Sequence, residues 1–556
     1  MTEDLPTRRW PMWIGLALAV AAVGRLLPLG WVALTDNTES RYASIAWQMF
    51  RSGDWVTPRI FTQGSLVPFQ GKPPLTFWLT SLSYHVFGVS EWSSRVPSFL
   101  LAMAIVAATM GFARHVWGRR VAMLSGVILA TAGFYFVLAG ACVLDVPLAA
   151  SVAGAMIAFA RFAESENRRR WWGLAFFFAL AVGMLAKGPI ALVLVGLALG
   201  LWIAIVGRWR LVVQLPWLSG LIVFFAVVAP WYILAERATP GFLYYFLVHE
   251  HILRYVSHEY GDLYGAGRER PYGASWVFLF VSFLPWSVLC IVAMLRRFRG
   301  QRIWTTLRSD PWLTYALVWG LAPAVFFTMA RQILVTYLVP GFAGLALATA
   351  VGLDRWMASE SSGGLSRWLK WHVAAIGLAA VAGGVGAVID GAPIALALTV
   401  PFSTACVLWL ARHVLRNGSP ERLAGVLGLT TVTALTATLF LVATKINDQN
   451  SSQAVLAQLY RDPAARQRPL ITPMASENSA FFYVQAVHGG RFVCAGREGT
   501  HVVRERLGRN GNELFLFERK ETVYLKPDLL ARLQPVAETV YWIAYEEKPR
   551  QARAQP

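Results

Sequence analysis

Apolar residues in this chain come in long runs rather than in alternation, and short clusters of arginine and lysine break the runs. A bilayer core takes about 20 apolar residues per helix. On that measure the pattern predicts 13 transmembrane helices, roughly 11–34, 95–113, 119–140, 144–162, 171–186, 189–206, 213–235, 274–295, 311–329, 333–352, 370–389, 392–411 and 423–444. The first run, Trp10 to Leu34, lacks a small-residue cleavage signature and is too long for a signal-peptide core, so it reads as an uncleaved first span.

Two stretches break this rhythm. Within residues 35–94, Tyr42, Ile45, Ala46, Met49 and Phe50 repeat as one face of a helix too short to cross a bilayer. Pro73 and Pro74 then open a second such helix, with Leu75, Trp78, Leu79 and Leu82 on one face and Gly88 closing it, so two interfacial helices flank Lys72. The tail 446–556 is mixed in charge and punctuated by Pro and Gly. Its apolar runs FFYVQAV, RFVCA and ELFLFE read as short strands, predicting a small C-terminal α/β domain. The expected organisation is a polytopic membrane domain over 1–445, with outer loops at 35–94 and 236–273, followed by a domain over 446–556.

Composition agrees with the pattern: of 556 residues, 56 % are hydrophobic and only 15 % charged. The net charge of +19 does not point to nucleic acid, because the basic residues lie in short loops between apolar runs, where they suit anionic membrane lipid. With the N-terminus inside, clusters such as Arg119 with Arg120, Arg168 to Arg170, and Arg296, Arg297 and Arg299 fall on the cytoplasmic face. The loops 35–94 and 236–273 and the tail then face outward, into the periplasm of a Gram-negative cell. Cys142, Cys290, Cys406 and Cys494 are scattered and predict neither a metal knuckle nor a disulfide framework.

Charge at a membrane boundary is costly unless it is paired or hydrated, which makes the outward charges the candidates for chemistry. Asp36 and Glu39 stand three residues apart at a helix mouth. Either they act as the carboxylates of a reaction, or they cap the helix, Asp36 at the N-cap and Glu39 three residues on. Arg41, Lys72, Lys187, Arg254 and Arg331 are basic residues beside spans or interfacial helices, placed to hold a phosphate arriving from the lipid or to snorkel to headgroups. Lys187 and Arg331 occupy the shortest outer turns, which should pack inside the bundle. Asp145 starts a span on that face and needs a basic partner, structural or substrate-linked. The segment HEHILRYVSHEY supplies His249, Glu250, His251, His258 and Glu259, which leaves room for a divalent cation but lacks the HExxH arrangement. There is no P-loop and no GxGxxG in a nucleotide-binding context.

At ESRYASIAWQMFRSGDWVTP and GKPPLTFW the chain resembles the integral-membrane glycosyltransferases related to protein O-mannosyltransferases, and most nearly the branch of lipid A aminoarabinose transferases. The resemblance continues in order through LDVP, LAKGPIAL, HEHILRY, FLPW and ARQILVTYLVP. It implies a C-type glycosyltransferase fold that is mainly helical, and an enzyme that takes a sugar from a polyprenyl-phosphate carrier and passes it to lipid A or another envelope acceptor. It also implies that the acids before Arg41 are catalytic. Arg41, Tyr42, Lys72, Arg254 and Tyr337 would line the carrier-phosphate pocket, with His249 and the charged turns at Asp145 and Lys187. The chain departs from the family pattern in carrying Thr38 where an Asp usually precedes the Glu, and Gly71 where an acid often precedes the lysine. A protein O-glycosyltransferase and a non-enzymatic lipid-carrier flippase are the alternative readings. Clustering of charge at one face and the lack of repeated halves speak against a transporter.

Overall fold

The computed structural model describes every residue except 1–9, 36–37, 63–64, 254–268, 360–361, 390–391, 473–476, 495–498, 508–511 and 549–556. Among the described residues nine helices are long and apolar enough to cross a membrane, from Met12–Gly30 to Pro420–Ala443. The protein is a multi-pass membrane protein. The other four stretches read as spans take different forms. Ala274–Ser282 and Trp286–Phe298 form one pair bent by 106°, Ile190–Val206 and Ile394–Leu410 are shorter apolar helices, and 119–140 breaks into Arg119–Thr131 and Gly133–Leu138.

The second of these pieces, Gly133–Leu138, ends on a buried cation. The Arg25 guanidinium is buried at the end of the first helix and donates to the carbonyls of Phe136, Val137 and Gly140 at 3.0, 3.0 and 2.5 Å. A cation at the carboxyl end of a helix satisfies orphan carbonyls that lipid cannot. A Cβ on Gly140 would fall 2.0 Å from the guanidinium carbon, so any larger residue there pushes Arg25 off its present position.

The chain divides into two compact units, one made of 1–28, 70–75 and 98–441, the other of 29–69, 76–97 and 442–556. In the first unit, Asp145–Glu164 and Arg169–Lys187 form an antiparallel hairpin whose ends meet. Pro311–Phe326 and Phe342–Met357 pack backbone to backbone, since a Cβ on Gly344 would lie 2.5 Å from the Gly320 nitrogen. This fixes the turn 327–341 between them. The three buried indoles of this unit are satisfied: Trp202, Trp286 and Trp319 donate to the Pro311 carbonyl, the Thr131 hydroxyl and the Pro340 carbonyl at 2.7, 3.0 and 2.9 Å.

The second unit holds both short helices expected around Lys72, Glu39–Ser52 and Leu75–Phe87, the first closed by Gly53 in the left-handed conformation. Between them lies a hairpin that the pattern did not reveal, β1 (Arg59–Thr62) antiparallel to β2 (Ser65–Pro68). The tail carries a five-stranded sheet of β3 (Pro469–Thr472), β4 (Arg491–Cys494), β5 (Leu514–Glu518), β6 (Leu533–Glu538) and β7 (Trp542–Glu547), in the order β4-β3-β5-β7-β6. RFVC and LFLFE are strands as expected. FFYVQAV is not: it continues the helix Glu477–Phe481 as a π-helical stretch, Phe482–Val487. Ala480 to Val484 are all buried, so the run has no polar face from which a period could be read. Its aromatics pack under the hairpin and first helix, Phe481 stacking on Phe61 at 4.6 Å and meeting Trp47 at 5.8 Å, while the Tyr483 hydroxyl accepts from the Leu34 amide at 2.8 Å.

Candidate functional site

In the first unit a cavity of about 510 Å³ gathers several of the charged residues that the sequence singled out. Lys72, Lys187, Arg331, Glu250, His251, Glu269, Gln332 and Tyr337 line its polar part, and Pro189, Ile190, Val193, Ile252, Phe326 and Met329 are among its apolar lining. A polar floor beside an apolar wall suits an amphiphile with a charged head and a hydrocarbon tail.

Each cation arrives by a local route. Lys187 closes its helix and Asp145 opens the preceding one, so both suit the helix dipoles and meet at 2.6 Å. The Lys187 ammonium also sits 4.1 Å from the Tyr337 ring centroid, a cation–π contact made with the fixed turn 327–341. Gly188 follows with φ +84°, and a Cβ there would lie 2.5 Å from the Phe246 ring and 3.2 Å from His251 Nε2. The glycine of LAKGP thus lets the segment 245–253 approach Lys187.

That segment, Tyr245–Leu253, is wound as a π-helix, which places residues five apart on one face. The Tyr245 hydroxyl accordingly lies 3.4 Å from Glu250 Oε1, and His251 Nδ1 lies 2.6 Å from the Phe246 carbonyl. Glu250, almost fully buried, accepts from Lys72 Nζ at 2.8 Å. Burial and the nearby Lys72 ammonium push His251 below the usual histidine range, against the Phe246 and Lys187 carbonyls that favour its charged form. Arg331 pairs with Glu269 at 2.7 Å, a more exposed bridge at the cavity rim.

Several expectations change here. His249 stacks on Tyr245 at 5.1 Å, and the imidazole that lines the cavity is that of His251. Glu250 is committed to Lys72, and among the described residues no group of three His, Cys, Asp or Glu side chains converges to hold a metal ion. Arg254, His258 and Glu259 lie outside the described residues, as does Asp36. Glu39 belongs to the second unit and is the first residue of its helix, with Thr38 as the N-cap. Arg95 donates to both Glu39 oxygens at 2.9 and 2.7 Å, and to the carbonyls of Leu29, Val32 and Ala33. The Arg41 guanidinium lies 5.8 Å from the Tyr42 ring, which packs on Phe77. Arg95, Glu269, Tyr272 and Gln332 were missed. Arg95 alone carried a signal, as a lone cation in the first turns of an apolar run.

Comparison with known proteins fits this geometry. Residues 71–234 match the family described as dolichyl-phosphate-mannose-protein mannosyltransferase. Among relatives, an undecaprenyl phosphate-alpha-4-amino-4-deoxy-L-arabinose arabinosyl transferase of Enterobacter sp. (strain 638) is 28 % identical over 348 residues, 62 % of this chain and 60 % of that protein. Its namesake from Shewanella sediminis is 31 % identical over 59 % of this chain and 57 % of that protein. The chain therefore matches somewhat over half the length of these relatives. Among solved structures, ArnT from Cupriavidus metallidurans bound to undecaprenyl phosphate superposes with a TM-score of 0.77, at 23 % identity, over 97 % of this chain and 98 % of that one. The fold is that of the C-type glycosyltransferases.

Proposed function

We propose, for a chain that belongs to the C-type membrane glycosyltransferases of the protein O-mannosyltransferase and aminoarabinose transferase family, that it transfers a sugar from a polyprenyl-phosphate carrier to lipid A or another envelope acceptor. The observation that carries this reading is the cavity: Lys72, Lys187 and Arg331 meet in a space whose other wall is apolar, inside a membrane protein. Breaking a glycosidic bond to phosphate leaves negative charge on the phosphate oxygen. Cations held in place in a poorly hydrated site stabilise that charge more than water does.

In this reading Lys72, Lys187 and Arg331 hold the carrier phosphate, joined by Arg254, and Tyr337 positions the Lys187 ammonium. The bidentate pairing of Glu39 with Arg95 supports assigning the reacting carboxylate to Asp36, with Glu39 as an anchor. The basic clusters in the alternate loops support a cytoplasmic N-terminus and a reaction on the periplasmic face of the inner membrane.

The test is incubation of the purified protein with a polyprenyl-phosphate-linked sugar and lipid A, followed by mass spectrometry of the lipids. A glycosylated lipid A is the expected product. Transfer to a peptide instead would favour protein glycosylation, and no transfer with intact carrier translocation would overturn the enzyme reading.

A further inference from the structure

We propose that Glu250 makes this cavity prefer a singly charged phosphodiester over a doubly charged phosphomonoester, so that the sugar-bearing carrier is taken in and the spent carrier is let go. The inference rests on the transfer reading above and assigns one residue a role within it.

The argument starts from the charges. Among the described residues each cation lining the cavity already holds a carboxylate: Lys72 holds Glu250 at 2.8 Å, Lys187 holds Asp145 at 2.6 Å and Arg331 holds Glu269 at 2.7 Å. These three acids differ in their surroundings. Asp145 opens a helix, where the dipole favours its charge, and Glu269 is half exposed to solvent, which screens it. Glu250 neither opens a helix nor reaches solvent, and the Tyr245 hydroxyl lies 3.4 Å from it. Its side chain is 2 % exposed, it lies on the cavity surface, and its charge is balanced there by Lys72.

Transfer changes the charge of the ligand at this place. The bond from the anomeric carbon to the phosphate oxygen breaks, and its electron pair stays on the phosphate. A bond forms from the acceptor oxygen to the same carbon, and the acceptor's proton, where it has one, passes to the reacting carboxylate and on to water. The carrier enters as a diester with one negative charge and is left as a monoester, whose second ionisation falls near pH 6 and whose charge at neutral pH is about −1.5 to −2. A diester can share Lys72 with Glu250 at the cost of one like-charge contact. The monoester brings more negative charge against the same fixed carboxylate, in a site where repulsion is far less screened than in water. Glu250 thus raises the cost of keeping the product more than the cost of taking in the donor.

The test compares two lipids on one preparation of the full-length protein in detergent at pH 7.5: undecaprenyl phosphate, and its methyl phosphodiester, which has no sugar. The Glu250→Gln variant keeps the shape and removes the charge. It is expected to bind the monoester about tenfold more tightly relative to the diester than the wild type does, and to show stronger product inhibition in the transfer assay. An unchanged ratio, or one that moves toward the diester, overturns the proposal. A purely structural role, holding Lys72 in place, would weaken both lipids together and leave the ratio alone. Should the amide variant fail to fold, Glu250→Asp draws the carboxylate back by one methylene and is expected to move the ratio the same way by a smaller factor. If the wild type binds neither lipid, the carrier reading itself has failed, whereas binding of both with a fixed ratio removes only the role of Glu250.

Discussion

Two buried ion pairs, Glu39 with Arg95 and Glu250 with Lys72, look alike in a table of charges and differ in everything around them. Arg95 spends its guanidinium on both carboxylate oxygens and on three backbone carbonyls of the segment 29–33, all within the second unit. Such a pair is a clasp: it ties the start of one helix and the start of another to the segment 29–33 in one network. Lys72 and Glu250 meet at the wall of a cavity large enough for a ligand head, with the Lys72 side chain 19 % exposed. The difference teaches that burial of a charge identifies a site only when space for a partner lies next to it.

The comparison breaks most directly at Arg95. Arg95→Met takes the guanidinium away from the buried Glu39 carboxylate and frees three carbonyls, so a loss of about 3–5 kcal/mol in stability is expected. Thermal unfolding in detergent reads it. If Arg95→Met unfolds near the wild-type temperature while transfer is lost, the clasp is instead part of the chemistry. The same contrast predicts that Glu39→Gln loses stability first, whereas Asp36→Asn loses turnover with an unchanged melting temperature.

At Lys72 the expectation reverses. Lys72→Gln removes a charge-assisted contact to the carrier phosphate worth about 1.5–3 kcal/mol, so undecaprenyl phosphate should bind roughly 10–100-fold more weakly. The melting temperature should fall less than for Arg95→Met. Equal carrier affinity would remove Lys72 from the site. Gly188→Ala tests how the cavity is walled: with φ +84° and Phe246 within 2.5 Å of the new Cβ, the segment 245–253 must shift. Carrier affinity and stability are expected to fall together, by about 1–3 kcal/mol in stability.

These sites were unevenly legible in the sequence. The membrane class and most of the spans could be read because apolar runs of about 20 residues have few other uses. The meeting of Asp145 with Lys187 was foreseeable, since an acid opening one span and a base closing the next must share a membrane face. Glu39 with Arg95 was not: the two are 56 residues apart, and no periodicity links them. The hairpin β1–β2 escaped because strands of four residues are too short for alternation to register. The resemblance points to His249, and nothing in HEHILRY announces the π-helix whose five-residue spacing sets His251 on the Phe246 carbonyl and Glu250 beside Tyr245.

His251 gives the smallest effect and sharpens the contrast from the cavity side. Its proton affinity is held below the ordinary value of 6.5, first by burial and then by the Lys72 ammonium. The unfolded chain takes up a proton near pH 6.5 while the folded protein does not, so below that pH the unfolded state binds more protons and stability falls. The loss begins near pH 6.5, grows by at most about 1.4 kcal/mol per pH unit, and ends once the folded protein also accepts the proton. Melting temperatures of the wild type and of His251→Gln between pH 7.5 and 5.5 isolate this contribution. The wild type should lose more on acidification than the variant. Parallel curves would mean that His251 takes up its proton as readily in the cavity as in the unfolded chain, so that the Lys72 wall would not be the poorly hydrated place that the carrier phosphate requires.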